Sequence, residues 1–247
     1  MNTDNNKDIF FPAGAAEVNI IPVLQGGEQM KVEADDLPDT LPILALRNAV
    51  LFPGMVYPVT IGREKSITLI KEAEKRDLFI GAVPQVDVTV EEPHEKDLYE
   101  YGTVSRVMKV LEMPDGTITA IIQGVKRIRL AGVVSYEPYI TARVKYIEDV
   151  IPENDNSTKM IAESLKEKAS VIIKSSSFAP KEAVGALKSI DNYAFLVNFI
   201  ATTVEIENFM EKVQLLGIDD ITVRAMKLLQ VLDTQIQLLK IKQEINQ

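Results

Sequence analysis

Short apolar runs separated by turn residues fill the chain from residue 41 to about residue 149. Runs of this length that are rich in β-branched and aliphatic residues favour strands. Pro114, Asp115 and Gly116 separate two of the runs, and this combination is typical of a tight turn between antiparallel strands. The pattern predicts strands at residues 41–46, 56–61, 78–83, 103–113, 117–130 and 139–147.

One helix is predicted within this series, at residues 63–76. Ile67, Ile70 and Ala73 recur at helical spacing and are expected to face the core. Glu64 lies at the positive N-terminal end of this helix, where an acidic side chain is favourable. Six strands around one main helix predict a compact, partly closed antiparallel barrel.

The periodicity changes after the polar segment 151–157, which predicts a domain boundary. Helices are predicted from there to the end of the chain. Asp191 and Asp219 are expected to cap two of them, Pro180 fits a first turn, and Gly217 fits a helix end. The predicted helices are residues 157–175, 180–189, 191–201, 205–215 and 219–245.

The last predicted helix carries a heptad seam and has no terminating Gly or Pro. We therefore expect it to lead into a further domain. Phe195, Phe199 and Phe209 are expected in the core of the helical bundle. The predicted fold class is α+β, an antiparallel β pseudo-barrel followed by an all-α bundle with a long last helix. The seam consists of Ala225, Leu229, Leu232, Ile236 and Leu239.

Composition removes most enzyme chemistry from consideration. The 247 residues include no cysteine and one histidine, His94. This composition excludes disulfides, cysteine-bound metals and multi-histidine metal sites, and it disfavours a Ser/His/Asp triad, whose imidazole would have to be His94. His94 lies in an acidic loop and is expected to be a solvated side chain. Neither a phosphate-binding loop nor a dinucleotide fingerprint is present. No apolar run approaches the ~20 residues of a membrane span, so a cytoplasmic protein is predicted.

Acidic residues concentrate at the start of the chain. The formal net charge is −9, and the first forty residues hold eight acidic and two basic side chains. This acidic leader (residues 1–40) is expected to be flexible, and its apolar segment 18–24 is read as a docking segment or an added strand. The negative net charge of the whole chain disfavours nucleic-acid binding. Arg127 and Arg129 form the best basic cluster, interpreted as a solvated strand face, with an anion or RNA contact as the alternative.

Several ordered blocks of this sequence resemble the N-terminal domain of Lon, the ATP-dependent protease. The resemblance extends over about residues 41–247, and it does not cover the acidic leader. The blocks are residues 41–55 (LPILALRNAVLFPGM), 62–67 (GREKSI), 101–104 (YGTV), 111–117 (LEMPDGT) and 124–127 (GVKR).

The resemblance implies the front part of a homo-oligomeric, usually hexameric, protein. In Lon proteases, ATPase and Ser/Lys protease domains follow this region, so ATP and magnesium would bind elsewhere and this chain would hold no cofactor or catalytic residue of its own. The implied partners are unfolded or damaged protein substrates, together with the ATPase and protease domains. Two alternatives are a stand-alone Lon-domain binding module and an RNA-binding protein, since the predicted barrel also resembles the PUA-like fold.

Substrate contact is predicted at the turn before the second strand and at the start of the first helix. Phe52, Met55 and Tyr57 are large apolar side chains near a Pro-Gly turn, where burial is harder than in a strand centre. If Met55 is exposed, Met55→Asp should weaken client binding without lowering the melting temperature. Packing into the barrel is the alternative. The polar candidates, with a solvated face as their alternative, are Arg63, Glu64 and Lys65.

Overall fold

In the described part of the chain, six strands and six α-helices follow one another in the predicted order. The computed structural model describes residues 37–176 and 182–245, so residues 1–36, including the segment 18–24, and Pro180 lie outside the described residues. The strands are β1 (Thr40–Leu46), β2 (Val56–Ile61), β3 (Phe79–Pro84), β4 (Tyr101–Glu112), β5 (Ile118–Ser135) and β6 (Thr141–Ile147). The helices are α1 (Glu64–Arg76), α2 (Asn156–Ser175), α3 (Glu182–Ser189), α4 (Tyr193–Thr203), α5 (Phe209–Leu216) and α6 (Ile221–Ile245).

The sheet closes into a barrel through its longest strand. β5 pairs with β4 and also with β6, so the ring β5-β4-β3-β1-β6 closes, and β2 pairs with the first part of β5. Register shifts let one strand serve three neighbours, and at one of them Gly132 adopts a positive φ of 133°. The predicted α+β class is confirmed, with one correction to the strand pairing. β1 and β3 are parallel, because the crossover through α1 returns the chain to the starting end of the barrel.

Side-chain caps begin α4 and α6 one residue after the predicted caps. Asn192 accepts a hydrogen bond (2.9 Å) from a backbone N–H in the first turn of α4. Asp220 accepts two (2.8 and 3.0 Å) at the start of α6. The predicted caps Asp191 and Asp219 were therefore wrong, because the cap is the residue whose side chain reaches the free N–H groups of the first turn. Gly217 ends α5 as predicted.

The long helix α6 packs along α2. Ala225 and Leu232 of the predicted seam are fully buried, and its other three positions are partly buried against the same core. Lys168 on α2 and Asp233 on α6 form an ion pair beside this seam. Phe195 and Phe199 are buried as predicted, and Phe209 is partly buried.

One hydrophobic core continues from the barrel into the helices. The same cluster of buried side chains contains residues of the β-strands and residues of α2 to α6. The 52–55 turn joins the two parts: Phe195 lies against Gly54, and the Asn198 side-chain amide donates to the Pro53 carbonyl (3.2 Å). The division into two domains at residues 151–157 stays a prediction.

A buried network of charged side chains also joins the barrel to the helices. Arg127 on β5 and Arg224 on α6 both donate to the same Asp149 carboxylate oxygen, at 2.6 and 3.0 Å. Arg127 also contacts Asp219 (2.9 Å), and Arg224 donates to the Asn198 side-chain oxygen (2.8 Å). Both arginine side chains are 0% exposed. The expectation of a solvated face at Arg127 was wrong, because the helices cover this part of β5.

We predict that Asp149→Asn destabilises the fold strongly. The change keeps the shape of the side chain and leaves two buried guanidinium groups without the charge between them, which should lower the free energy of unfolding by about 3 kcal/mol. Glu148→Gln is the matched control, because Glu148 is an exposed neighbour paired with Lys126, and its loss should change stability by about 1 kcal/mol or less. Urea denaturation measures both. Equal midpoints for the two variants would contradict the structural role of Asp149.

Candidate functional site

An open cavity of about 280 Å³ lies at the start of α1. Its walls come from β1, the first turn of α1, the loop at residues 91–94 and the segment 136–140 before β6. The lining combines aliphatic and aromatic side chains with charged ones. It consists of Ile43, Ala45, Arg63, Glu64, Lys65, Ser66, Leu69, Glu91, Glu92, Pro93, His94, Tyr136, Tyr139 and Ile140.

Arg63 forms a fixed part of the cavity wall. Its guanidinium donates to the Ala45 carbonyl (2.8 Å) and to the side-chain oxygen of Gln85 (3.0 Å). Gln85 is fully buried, and its amide donates to the backbone carbonyls of Asp87 (2.6 Å) and Val90 (2.7 Å). Half-burial lowers the pKa of Arg63, and the positive charge of Arg47 lowers it further by a smaller amount. The negative charge of Glu91 opposes this shift. The contacts of Arg63 and Gln85 therefore attach the 86–91 loop to α1 and β1.

Lys65 and two glutamates form a charged rim. The Lys65 ammonium contacts Glu137 at 2.6 Å and Glu92 at 3.8 Å. The hydrogen bond to Glu137 raises the pKa of Lys65. These pairs are exposed, so they are weak and can exchange for contacts with a bound chain. Glu64 is exposed at the first position of α1.

The aromatic side chains of His94, Tyr136 and Tyr139 complete the cavity wall. The His94 and Tyr136 rings lie 4.7 Å apart between centroids. Tyr139 is nearly buried and donates its hydroxyl proton to Glu72 (3.0 Å); burial and then this bond raise the pKa of Tyr139. An apolar floor with a charged rim can hold one large side chain of an extended polypeptide.

The structure brings together the three polar candidates and separates them from the apolar ones. Arg63, Glu64 and Lys65 all line the cavity, as a group at the start of α1. Tyr57 is half-buried on β2 and does not line it, and burial raises the pKa of its hydroxyl.

Phe52 and Met55 are not exposed at the turn, so the expected apolar contact surface is wrong for both. Each is 0% exposed. The physical reason is the helical part: α4 lies over the turn, and Phe195 against Gly54 excludes solvent from it.

Several side chains that line or support the cavity escape sequence reasoning. Gln85, Tyr136 and Tyr139 come from three separate segments, and no spacing along the chain connects them. The acidic loop around His94 gave a partial signal, because it departs from the strand pattern; its exposed imidazole proves to lie on the cavity wall.

The described part of the chain shows neither a metal-binding group nor a membrane-spanning helix. Within residues 37–176 and 182–245, no three His, Asp or Glu side chains are grouped as metal ligands. No helix of these ranges is long and apolar enough to cross a bilayer. The RNA alternative rested on Arg127 and Arg129, and only Arg129 of the two faces solvent.

The fold is that of solved N-terminal domains of Lon proteases. The N-terminal domain of the Mycobacterium avium complex Lon protease superposes with a TM-score of 0.61 at 16% identity, covering 78% of this chain and 98% of that one. The Lon N-terminal domain protein from Xanthomonas campestris gives 0.55 at 18% identity, covering 77% and 96%. At these identities the likeness establishes the fold alone.

Sequence similarity establishes the family. The model of the ATP-dependent protease La (LON) substrate-binding domain matches residues 40–234, and the chain belongs to this family. The Lon protease of Flavobacterium johnsoniae is 41% identical over 231 residues, and that of Cytophaga hutchinsonii is 38% identical over 230 residues. Each match covers 93% of this chain and 28% of the relative, so the chain spans little more than a quarter of the length of these relatives.

We predict that Met55→Asp lowers stability, in contrast to the result expected for an exposed side chain. The change removes a buried side chain and places a carboxylate without a partner in the core, at a cost of at least about 3 kcal/mol. Met113→Asp is the control, because Met113 is 41% exposed after β4 and should shift stability by about 0.5 kcal/mol or less. Thermal unfolding followed by circular dichroism measures both. An unchanged melting temperature for Met55→Asp would place Met55 outside the core.

Proposed function

We propose that this chain recognises and positions unfolded or damaged protein segments for an ATP-dependent serine protease of the Lon type. The cavity at the start of α1 is the observation that carries the proposal. Its apolar floor suits a side chain that a folded client would bury, and Arg63, Glu64 and Lys65 supply polar contacts around it. Membership in the substrate-binding domain family supports the same role.

Client contact extends from the cavity to neighbouring surface in this proposal. Tyr57 contributes a half-buried amphipathic ring on β2, suited to contacts with varied partners. Phe52 and Met55 act from within the core by holding the turn before β2. Charged side chains at the rim tune the choice of client and the association rate, while apolar burial supplies most of the affinity.

The proposal includes a longer, oligomeric protein. The relatives named Lon protease are more than three times the length of their match to this chain. We propose that ATPase and protease domains follow this part, bind ATP and magnesium, cleave the clients and assemble as a cytoplasmic hexamer. This chain then contributes client recognition and supports assembly.

We predict that filling the cavity weakens client binding. Ser66 lies on the cavity wall in the first turn of α1, so Ser66→Tyr should exclude a client side chain and reduce affinity about tenfold, the equivalent of losing one buried side chain. Fluorescence anisotropy with labelled, reduced and alkylated lactalbumin measures this affinity.

Thr68→Tyr is the matched control for Ser66→Tyr. Thr68 is exposed on the same helix and does not line the cavity, so Thr68→Tyr should bind the client as the unchanged protein does. Equal losses in the two variants, or none in either, would remove the cavity from the binding surface.

We predict that catalysis lies outside residues 1–247. The purified chain should hydrolyse neither ATP nor casein, and the reading frame should continue past Gln247 into a phosphate-binding loop of the pattern G-x-x-x-x-G-K-[ST]. Coupled ATPase and fluorescent-casein assays test the absence of hydrolysis. Sequencing of the gene tests the continuation of the reading frame. A frame that stops at Gln247 would favour the stand-alone binding module.

A further inference from the structure

β2 has an open side. It pairs with β5 along one edge, while the other five strands close into a ring. Within residues 37–176 and 182–245, no strand pairs with the second edge of β2. An unpaired strand edge presents a row of peptide groups to any extended chain that reaches it.

The direction of each peptide group on β2 follows from the ladder. The Gly124 N–H on β5 donates to the Met55 carbonyl (2.9 Å), and the register continues as Val56 opposite Gln123. Peptide groups alternate between the two edges of an antiparallel strand. The backbone N–H and C=O groups of residues 57, 59 and 61 therefore point toward β5. Those of residues 56, 58 and 60 point away from it.

Pro58 falls on the outward side and fits this assignment, because it has no N–H to lose there. The outward edge offers N–H donors at Val56 and Thr60, with a gap between them. Outside the β2–β5 ladder, no backbone hydrogen bond of residues 37–176 and 182–245 uses either of these two N–H groups. The edge can therefore pair over a short length only.

The side chains of β2 indicate the chemistry of its partner. The strand, VYPVTI, has no charged residue, and Val56, Tyr57, Pro58 and Val59 are all half-buried. Exposed strand edges are commonly protected by charged side chains, especially Lys. Here proline alone interrupts the edge, so an uncharged, extended, apolar segment can lie along it without burying a charge.

We propose that an extended apolar segment of an unfolded client adds to β2 as a further strand. The client backbone pairs with the peptide groups of Val56 and Thr60, and its alternate side chains lie beside the half-buried ones of β2. This inference rests on the proposed function and gives it a mode of recognition. Backbone pairing does not depend on the side-chain sequence of the client. It therefore suits clients that have only an exposed, unfolded segment in common. The gap at Pro58 keeps the pairing short and the client releasable.

Two substitutions at outward positions test the proposal in opposite directions. Pro58→Val restores an N–H donor in the gap and should tighten client binding about threefold to tenfold, the effect of one added hydrogen bond. Thr60→Pro removes an outward donor and should weaken binding by a similar factor. Neither change removes a bond to β5, and circular dichroism with thermal unfolding checks that both variants stay folded.

The probe is labelled, reduced and alkylated lactalbumin, and its binding to the full chain is measured by fluorescence anisotropy. A second probe is a labelled eight-residue Val/Thr peptide, compared with the same peptide N-methylated at alternate positions, which cannot pair along one edge. We expect the plain peptide to bind and the methylated one to bind at least about fivefold more weakly.

The outcomes separate this inference from the proposed function. If the unchanged chain binds lactalbumin and Ser66→Tyr weakens it, while Pro58→Val and Thr60→Pro have no effect, strand addition is overturned and client recognition stands. If the unchanged chain binds no client, the proposed function itself fails. If Pro58→Val promotes self-association in sedimentation velocity without tightening client binding, the edge pairs copies of this chain, and the inference is overturned.

Discussion

Two arginines from distant parts of the chain share the carboxylate of Asp149, and the union of barrel and helices depends on this contact. Arg127 arrives on β5 and Arg224 on α6, and both side chains are buried. Two buried guanidinium groups tolerate each other only with an anion between them. Each also finds acceptors in the helical part, at the Leu216 carbonyl (3.0 Å) and the Asn198 side chain (2.8 Å). The network therefore specifies one position of the helices on the barrel.

That position has consequences for the surface. The helices cover the 52–55 turn, so its large apolar side chains belong to the core and are withdrawn from any partner. The start of α1 stays open on another side of the barrel, where Arg63 and Gln85 hold the neighbouring loop. Within residues 37–176 and 182–245, the cavity at the start of α1 and the edge of β2 that has no strand partner are separated along the chain only by Gly62, and both suit an extended chain.

Much of the fold can be predicted from the local pattern of apolar and turn residues. Strand limits agree within two residues, except that β5 continues to Ser135, because apolar runs and turn residues act over a few positions, as at Pro114 to Gly116 between β4 and β5. The grouping of Arg63 to Lys65 in one site could also be predicted from the sequence, because adjacent residues at a helix start lie close together. The parallel pairing of β1 with β3 was not, since it depends on the path of the whole crossover.

The sequence by itself determined the elements, the family resemblance and the absence of cysteine, because these follow from residue type and short spacing. Tertiary structure decided which side chains meet solvent. Arg127 and Arg129 lie two residues apart on the same strand, yet one is buried and the other is 54% exposed. The difference comes from helices that lie about ninety residues later in the chain. Burial is a property of packing between distant segments, and no local pattern contains it.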